Sequence, residues 1–211
     1  MARVTNLLLN GMSGKMGNLV FRTINGKTFV HPYQKIDKTP SEAMSKHRGI
    51  FSMMMKFLNP IRPLIKAVNS NHKVPRRRFD KIFSENLRLA VKGEYPDMTI
   101  DYPKLVLSLG DLPLAKQVTM SSPDQGKLIV KWKYIRTKAS EWASDRAFMA
   151  CYSEDLKTWI FKIDLANRRS KASILDCELL QGTNVHVYFG FNSLCGTESS
   201  NSAYLGKIKI L

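Results

Sequence analysis

Gly11-Met12-Ser13-Gly14-Lys15-Met16-Gly17 is the segment whose residue types come closest to phosphate chemistry. Glycine amides and a lysine can surround a phosphate when a loop wraps it and a helix follows. The spacing fails for a nucleotide loop. Two residues rather than four separate Gly11 from Gly14, and Met16 stands where a hydroxyl must meet Mg²⁺. What remains is a flexible arm or tight turn, whose bare amides and Lys15 can approach a phosphate backbone or a partner protein. Arg76-Arg77-Arg78 follows Val74-Pro75 and reads as a basic loop ahead of a helix. Guanidinium forks suit phosphate oxygens, and a loop can present three together. Arg22, Lys27 and Lys35 lie among Phe21, Phe29 and Tyr33. Such rings either stack on bases or form the buried face of a hairpin.

Other reactive side chains are scattered. His31, His47, His72 and His186 show no metal-site spacing, and there is no GxSxG. His47 reads as a packing residue, and His186 points opposite to Val185 and Val187 along a strand. Asp145, Asp155, Asp164 and Asp176 fall near strand ends, where aspartates usually satisfy turn amides. Cys151, Cys177 and Cys195 are odd in number and lack CxxC spacing, which reads as reduced thiols. No catalytic residue, metal or cofactor is expected. Met53-Met54-Met55 gives one helix adaptable thioethers, suited to docking a partner.

The elements that position these residues follow from periodicity. Residues 18–31 read as a β-hairpin closed by Asn25-Gly26, a type I′ turn pair. Thr39-Pro40-Ser41-Glu42 carries helix-start signals, with Thr39 as the cap. Steps of three and four then trace helices over 40–58 and 60–69, and a third over 78–92 stopped by Gly93. After residue 98 the period becomes two. Strands are expected at 104–109, 116–120, 127–134, 146–152, 159–163, 172–177, 185–191 and 203–210. That spacing predicts a small antiparallel sandwich. The expected class is α+β: an N-terminal β-hairpin plus helices, then a fibronectin/immunoglobulin-like β-sandwich.

The chain has 211 residues, a net charge of +16 and a pI near 9.9. Residues 1–97 hold eighteen basic and six acidic side chains, a net +12; residues 98–211 hold fifteen and eleven, a net +4. The periodicity change and the charge step together predict a basic hairpin-and-helix region, 1–97, and a sandwich domain, 98–211. No apolar run approaches a membrane span, and the start does not read as a signal peptide.

Trp132, and Leu180-Gln181-Gly182-Thr183 before Val185, Val187 and Phe189, resemble the early core tryptophan and the sixth-strand entry of a fibronectin type III module. Val185 stands where that family has its corner tyrosine. The whole chain resembles a bacterial, Bacteroidota-type family of unknown function, number 6266. The residues are Gly14-Lys15-x-Gly17-Asn18-x-Val20-x-Arg22, Asn25-Gly26-Lys27-Thr28-x-Val30, Thr39-Pro40-Ser41 and Phe51. Ile100-Asp101-Tyr102, Val187-Tyr188-Phe189-Gly190-Phe191-Asn192-Ser193 and Ser199-Ser200-Asn201-Ser202-Ala203-Tyr204-Leu205-Gly206 continue it. His31 departs from the arginine usual there. The resemblance implies a non-catalytic bacterial or phage-encoded protein, cytoplasmic or in a virion, and supplies no site residues.

A positive field concentrated on one part of a chain bears on partners rather than fold. The expectation is a non-enzymatic binding or structural protein that contacts nucleic acid or an acidic protein surface through Lys15, Arg22, Lys27, Lys35, Arg76, Arg77 and Arg78. The alternative is a subunit of a multi-copy bacterial or phage assembly, docking through its N-terminal arm and the helix of Met53, Met54 and Met55.

Overall fold

The computed structural model describes residues 2–5, 9, 11–34, 39–69, 75–134 and 143–211. They form two compact units, Met1–Ser41 and Glu42–Leu211.

The first unit is a four-stranded antiparallel sheet of β1 (Ala2–Arg3), β2 (Gly14–Met16), β3 (Leu19–Ile24) and β4 (Lys27–Pro32). Their order is β1-β4-β3-β2. The expected hairpin is its centre. Asn25 and Gly26 sit at φ 50° and 73°, the two left-handed positions a type I′ turn requires. The expected arm is corrected: Gly14, Lys15 and Met16 pair with Phe21, Val20 and Leu19, so among the described residues the glycine segment is partly strand. Gly17 and Asn18 form a second tight turn, with Gly17 at φ 56°.

The second unit opens with α1 (Glu42–Leu58), α2 (Arg62–Val68) and α3 (Pro75–Leu89). Helix α1 begins three residues after the expected cap Thr39. Its burial starts only at Met54, so His47 is exposed rather than packed. A short ladder of β5 (Val91–Lys92) and β6 (Thr99–Ile100) follows. Then come β7 (Lys116–Ser121), β8 (Lys127–Lys133), β9 (Arg146–Ser153), β10 (Thr158–Lys162), β11 (Ala172–Asp176), β12 (Asn184–Asn192) and β13 (Ala203–Lys209). They form sheets β11-β8-β7 and β10-β9-β12-β13. This three-plus-four antiparallel sandwich is the fibronectin-like arrangement expected, within an α+β chain.

The expected strand at 104–109 is absent. Residues 102–104 make a 3₁₀ turn, and residues 105–109 after it join no strand ladder. Two buried asparagines supply the missing ladder. Asn86 on α3 accepts the Val106 N–H at 2.8 Å and donates to the Val106 carbonyl at 2.6 Å. Asn69, after α2, donates to the Leu107 carbonyl at 2.9 Å and accepts the Leu109 N–H at 3.0 Å. A carboxamide offers one donor side and one acceptor side, as a peptide unit does, so it can pair with an extended chain.

The division at 97/98 is also corrected. Strands β9 and β12 are buried on both faces. Successive side chains alternate across a sheet. Met149, Cys151, Val187 and Phe189 therefore meet Leu128, Val130 and Trp132 of the smaller sheet. Phe148, Ala150 and Tyr188 meet Met54, Leu58, Ile65, Phe79 and Ile82 of the helices. The Trp159 indole N–H donates to the Phe57 carbonyl at 3.0 Å, tying β10 to α1. The four-stranded sheet thus has an apolar core on each face, one of them shared with the helices, and the period change at 98 marks a change of element rather than of folding unit.

Candidate polyanion-binding face

In an antiparallel sheet, directly paired residues share a face. Arg3 pairs with Phe29, and Phe29 with Arg22. Lys15 pairs with Val20, and Val20 with His31; Ile24 pairs with Lys27. By alternation these rows lie on one side of the first unit, and Tyr33 follows two residues beyond His31. Arg3, Lys15, Arg22 and Lys27 are exposed, while Phe29 and His31 are half-buried between them. The Lys15 ammonium sits 3.6 Å from the Tyr33 ring centroid. Such a contact holds the lysine over an exposed ring without neutralising it.

The opposite side carries Phe21, Thr23, Thr28 and Val30. Part of it is covered by the chain's own segment: the Gly11 N–H donates to the Thr28 hydroxyl at 2.8 Å, and the Thr23 hydroxyl donates to the Met12 carbonyl at 3.1 Å. Phe21 is buried. The three rings of the sequence reading therefore separate, with Phe29 and Tyr33 on the basic side and Phe21 away from it. The described residues of this unit include no acidic side chain. Residues 1–41 hold six basic residues and one acidic, a net +5 on a short segment.

Of the expected contacts, the sheet gathers Lys15, Arg22 and Lys27. Lys35 and the side chain of Arg76 lie outside the described residues. The basic loop is corrected. Arg76, Arg77 and Arg78 belong to the first turn of α3, which starts at Pro75, a residue suited to that position. Successive helical residues point about 100° apart, so Arg77 and Arg78 diverge. Arg77 is exposed, and the half-buried Arg78 donates to the Lys66 carbonyl at 3.4 Å. Met54 is wholly buried in the helical core, whereas Met53 and Met55 each line the wall of a different cleft. Arg3 and His31 were not legible as contacts, because a two-residue strand leaves no periodic trace. Alternation along 27–31 was the signal that could have found His31.

Three other polar groupings lie in the second unit. Arg168, 2% exposed, pairs with Asp145 at 3.1 Å, donates to the Pro113 carbonyl at 2.8 Å and stacks over Phe191. A buried pair with this many partners is structural in character. His186 bonds the Tyr204 hydroxyl at 2.8 Å, stacks on Tyr102 at 4.0 Å and lies 3.6 Å from Glu154, which Lys207 holds at 2.6 Å. Burial depresses the imidazole's proton affinity, while Glu154 pulls the other way. The residues come from four elements, which hid the group from the sequence reading. A cleft of about 430 Å³ is lined by Ser144, Asp145, Ser193, Leu194, Cys195, Thr197 and Glu198. Hydrogen bonds from Ser193, then Thr197, bring the exposed Cys195 thiol down to about 7, but among the described residues no imidazole lines the cleft to serve as its base. No helix is long and apolar enough to cross a membrane, and no cluster of metal-ligating residues occurs among the described residues.

No curated protein matches the chain. Among solved structures, the fn3 domain of the human collagen alpha-1(XX) chain is similar over 49% of this chain and 88% of that one, at 12% identity and a TM-score of 0.36. Residues 11–206 match one family of proteins across the basic sheet, the helices and the sandwich, so the chain belongs to the family of unknown function DUF6266.

Proposed function

We propose that this is a non-enzymatic binding protein whose four-stranded sheet contacts nucleic acid. One observation carries the reading: strand register places Arg3, Lys15, Arg22 and Lys27 around Phe29 on a single face. Cations supply the sequence-independent attraction to phosphates, and an open ring supplies a stacking surface for an unpaired base. The ring favours a single strand over a duplex, whose bases are already stacked, and over an acidic protein, which would use the charges alone.

The test is a titration of a labelled single-stranded oligonucleotide over a salt series. Four neutralised phosphates predict a slope of log K on log salt near −3, from about −0.7 for each. Arg22→Gln with Lys27→Gln should flatten that slope by about 1.4. Phe29→Ala should weaken binding by about 1–3 kcal/mol and leave the slope unchanged. Absence of binding at low salt overturns the proposal.

Subunit status in a multi-copy assembly is a second reading. It is favoured by an exposed apolar row, Met16, Leu19 and Pro32, paired across β2, β3 and β4 on the face away from the cations. Light scattering that finds only monomer at high micromolar concentration removes it.

A further inference from the structure

We infer that the cleft between the end of α1 and the β9–β10 hairpin is a binding site for a small aromatic anion, a planar ring carrying a carboxylate or phosphate. The cleft measures about 360 Å³, and Phe57, Tyr152, Trp159, Lys56 and Lys157 are among its lining residues. That size falls within the ordinary range for small-molecule sites.

The rings are fixed before any ligand arrives. Phe57 stands edge-on to Tyr152 at 4.7 Å and to Trp159 at 5.2 Å, and Tyr152 tilts against Trp159 at 5.0 Å. Each is 8% exposed, so what remains open is a rigid aromatic floor. The Trp159 N–H is committed to the Phe57 carbonyl. The floor therefore offers ring surface to a guest, and a planar apolar group fits it best.

Charge chooses among planar guests. Lys56 and Lys157 are exposed at the edge of the cleft, and neither forms an ion pair among the described residues. Glu154, two residues after Tyr152 in the chain, is engaged by Lys207 at 2.6 Å, and neither it nor the exposed Asp155 is among the described lining residues. A cation would meet two ammoniums with no acid among the described lining residues to offset them. An anion would gain both. Lys157 also holds φ 51°, a left-handed conformation that glycine adopts without cost. That position closes the four-residue turn between β9 and β10, so glycine can replace the lysine there without strain.

The experiment uses the full chain and isothermal titration with 1-naphthyl phosphate, 1-naphthoate, 1-naphthol and inorganic phosphate. Saturable binding of an aromatic anion, about tenfold tighter than the neutral naphthol, is expected, with none for inorganic phosphate. Comparing the two anions assigns the head group. Lys56→Gln with Lys157→Gly should abolish the advantage of the anions over naphthol. Lys157→Gly alone should leave the melting temperature unchanged or higher, which separates lost binding from lost folding. Binding that is undiminished in the double variant lies elsewhere, for instance on the basic sheet, and overturns the inference. Equal affinity for naphthol and the anions, or no saturable binding, does the same.

Discussion

His186 shows how surroundings decide what a side chain does. On sequence it is one histidine on a strand. In the fold it is nearly buried, stacked on Tyr102 and bonded to Tyr204, with Glu154 at the edge of the group. Burial is the largest influence and lowers its proton affinity. The unfolded chain takes up a proton that the folded chain resists. Its contribution is therefore complete above the ordinary histidine value, about 6.5, and is lost as pH falls through the window below it. Glu154, held below the usual carboxylate range first by its bond to Lys207, adds a loss in the same direction at more acidic pH. Chemical denaturation across pH 8 to 5 should show falling stability, and His186→Gln should flatten the upper part of that fall. An identical pH profile in the variant would remove His186 as the cause.

At the scale of elements, the segment after the 3₁₀ turn depends on its asparagines. Leu105 and Leu107 alternate as a strand's residues would, and both are buried. Nothing local reveals that the hydrogen-bond partners are distant groups, the side chains of Asn69, Asn86 and Ser202. Asn86 is wholly buried, and its carboxamide serves Val106 while also donating to the Ile82 carbonyl of its own helix at 2.9 Å. Removing it leaves the N–H and the carbonyl of the half-buried Val106 without that partner. Asn86→Ala should cost about 2–3 kcal/mol in urea denaturation, and Asn86→Leu should not restore it, because the loss is of hydrogen bonds rather than volume. A cost below about 0.5 kcal/mol would show that water replaces the carboxamide. The Gly190 site makes a related point. A Cβ there would come within 2.5 Å of the Phe148 ring, so the pairing of β12 with β9 lets a ring lie across a strand only where a side chain is missing.

For the whole molecule, the placement of the core decides what can fold alone. A fragment of residues 98–211 keeps the seven sandwich strands but uncovers Phe148, Tyr152, Trp159 and Tyr188, which meet the helices. That exposes a contiguous apolar face, the kind that drives aggregation. A fragment of residues 42–211 keeps both layers. Purified in parallel, 42–211 should be soluble with a cooperative melt, and 98–211 should aggregate or bind hydrophobic dye. A stable, cooperative 98–211 would restore the division at 97/98. The 42–211 fragment should also lose the salt-dependent oligonucleotide binding, since the proposed face lies in residues 1–41.

Sequence by itself determined those features whose causes are local. Short apolar runs between turn signals marked eight strands, seven of which the sandwich contains; steps of three and four marked the helices, and Asn25-Gly26 set the central turn. Turn geometry and the burial pattern of one element need no knowledge of its neighbours. Tertiary structure decided the rest. Strands as short as Ala2–Arg3 and Gly14–Met16 exist only because β4 and β3 offer edges, and those pairings assemble the basic face. The arginine triplet was legible as charge, but its place in a helical turn was not, and there Arg77 and Arg78 diverge. The unit boundary was misplaced because periodicity reports how a segment is wound, whereas a core is defined by which distant faces exclude water together.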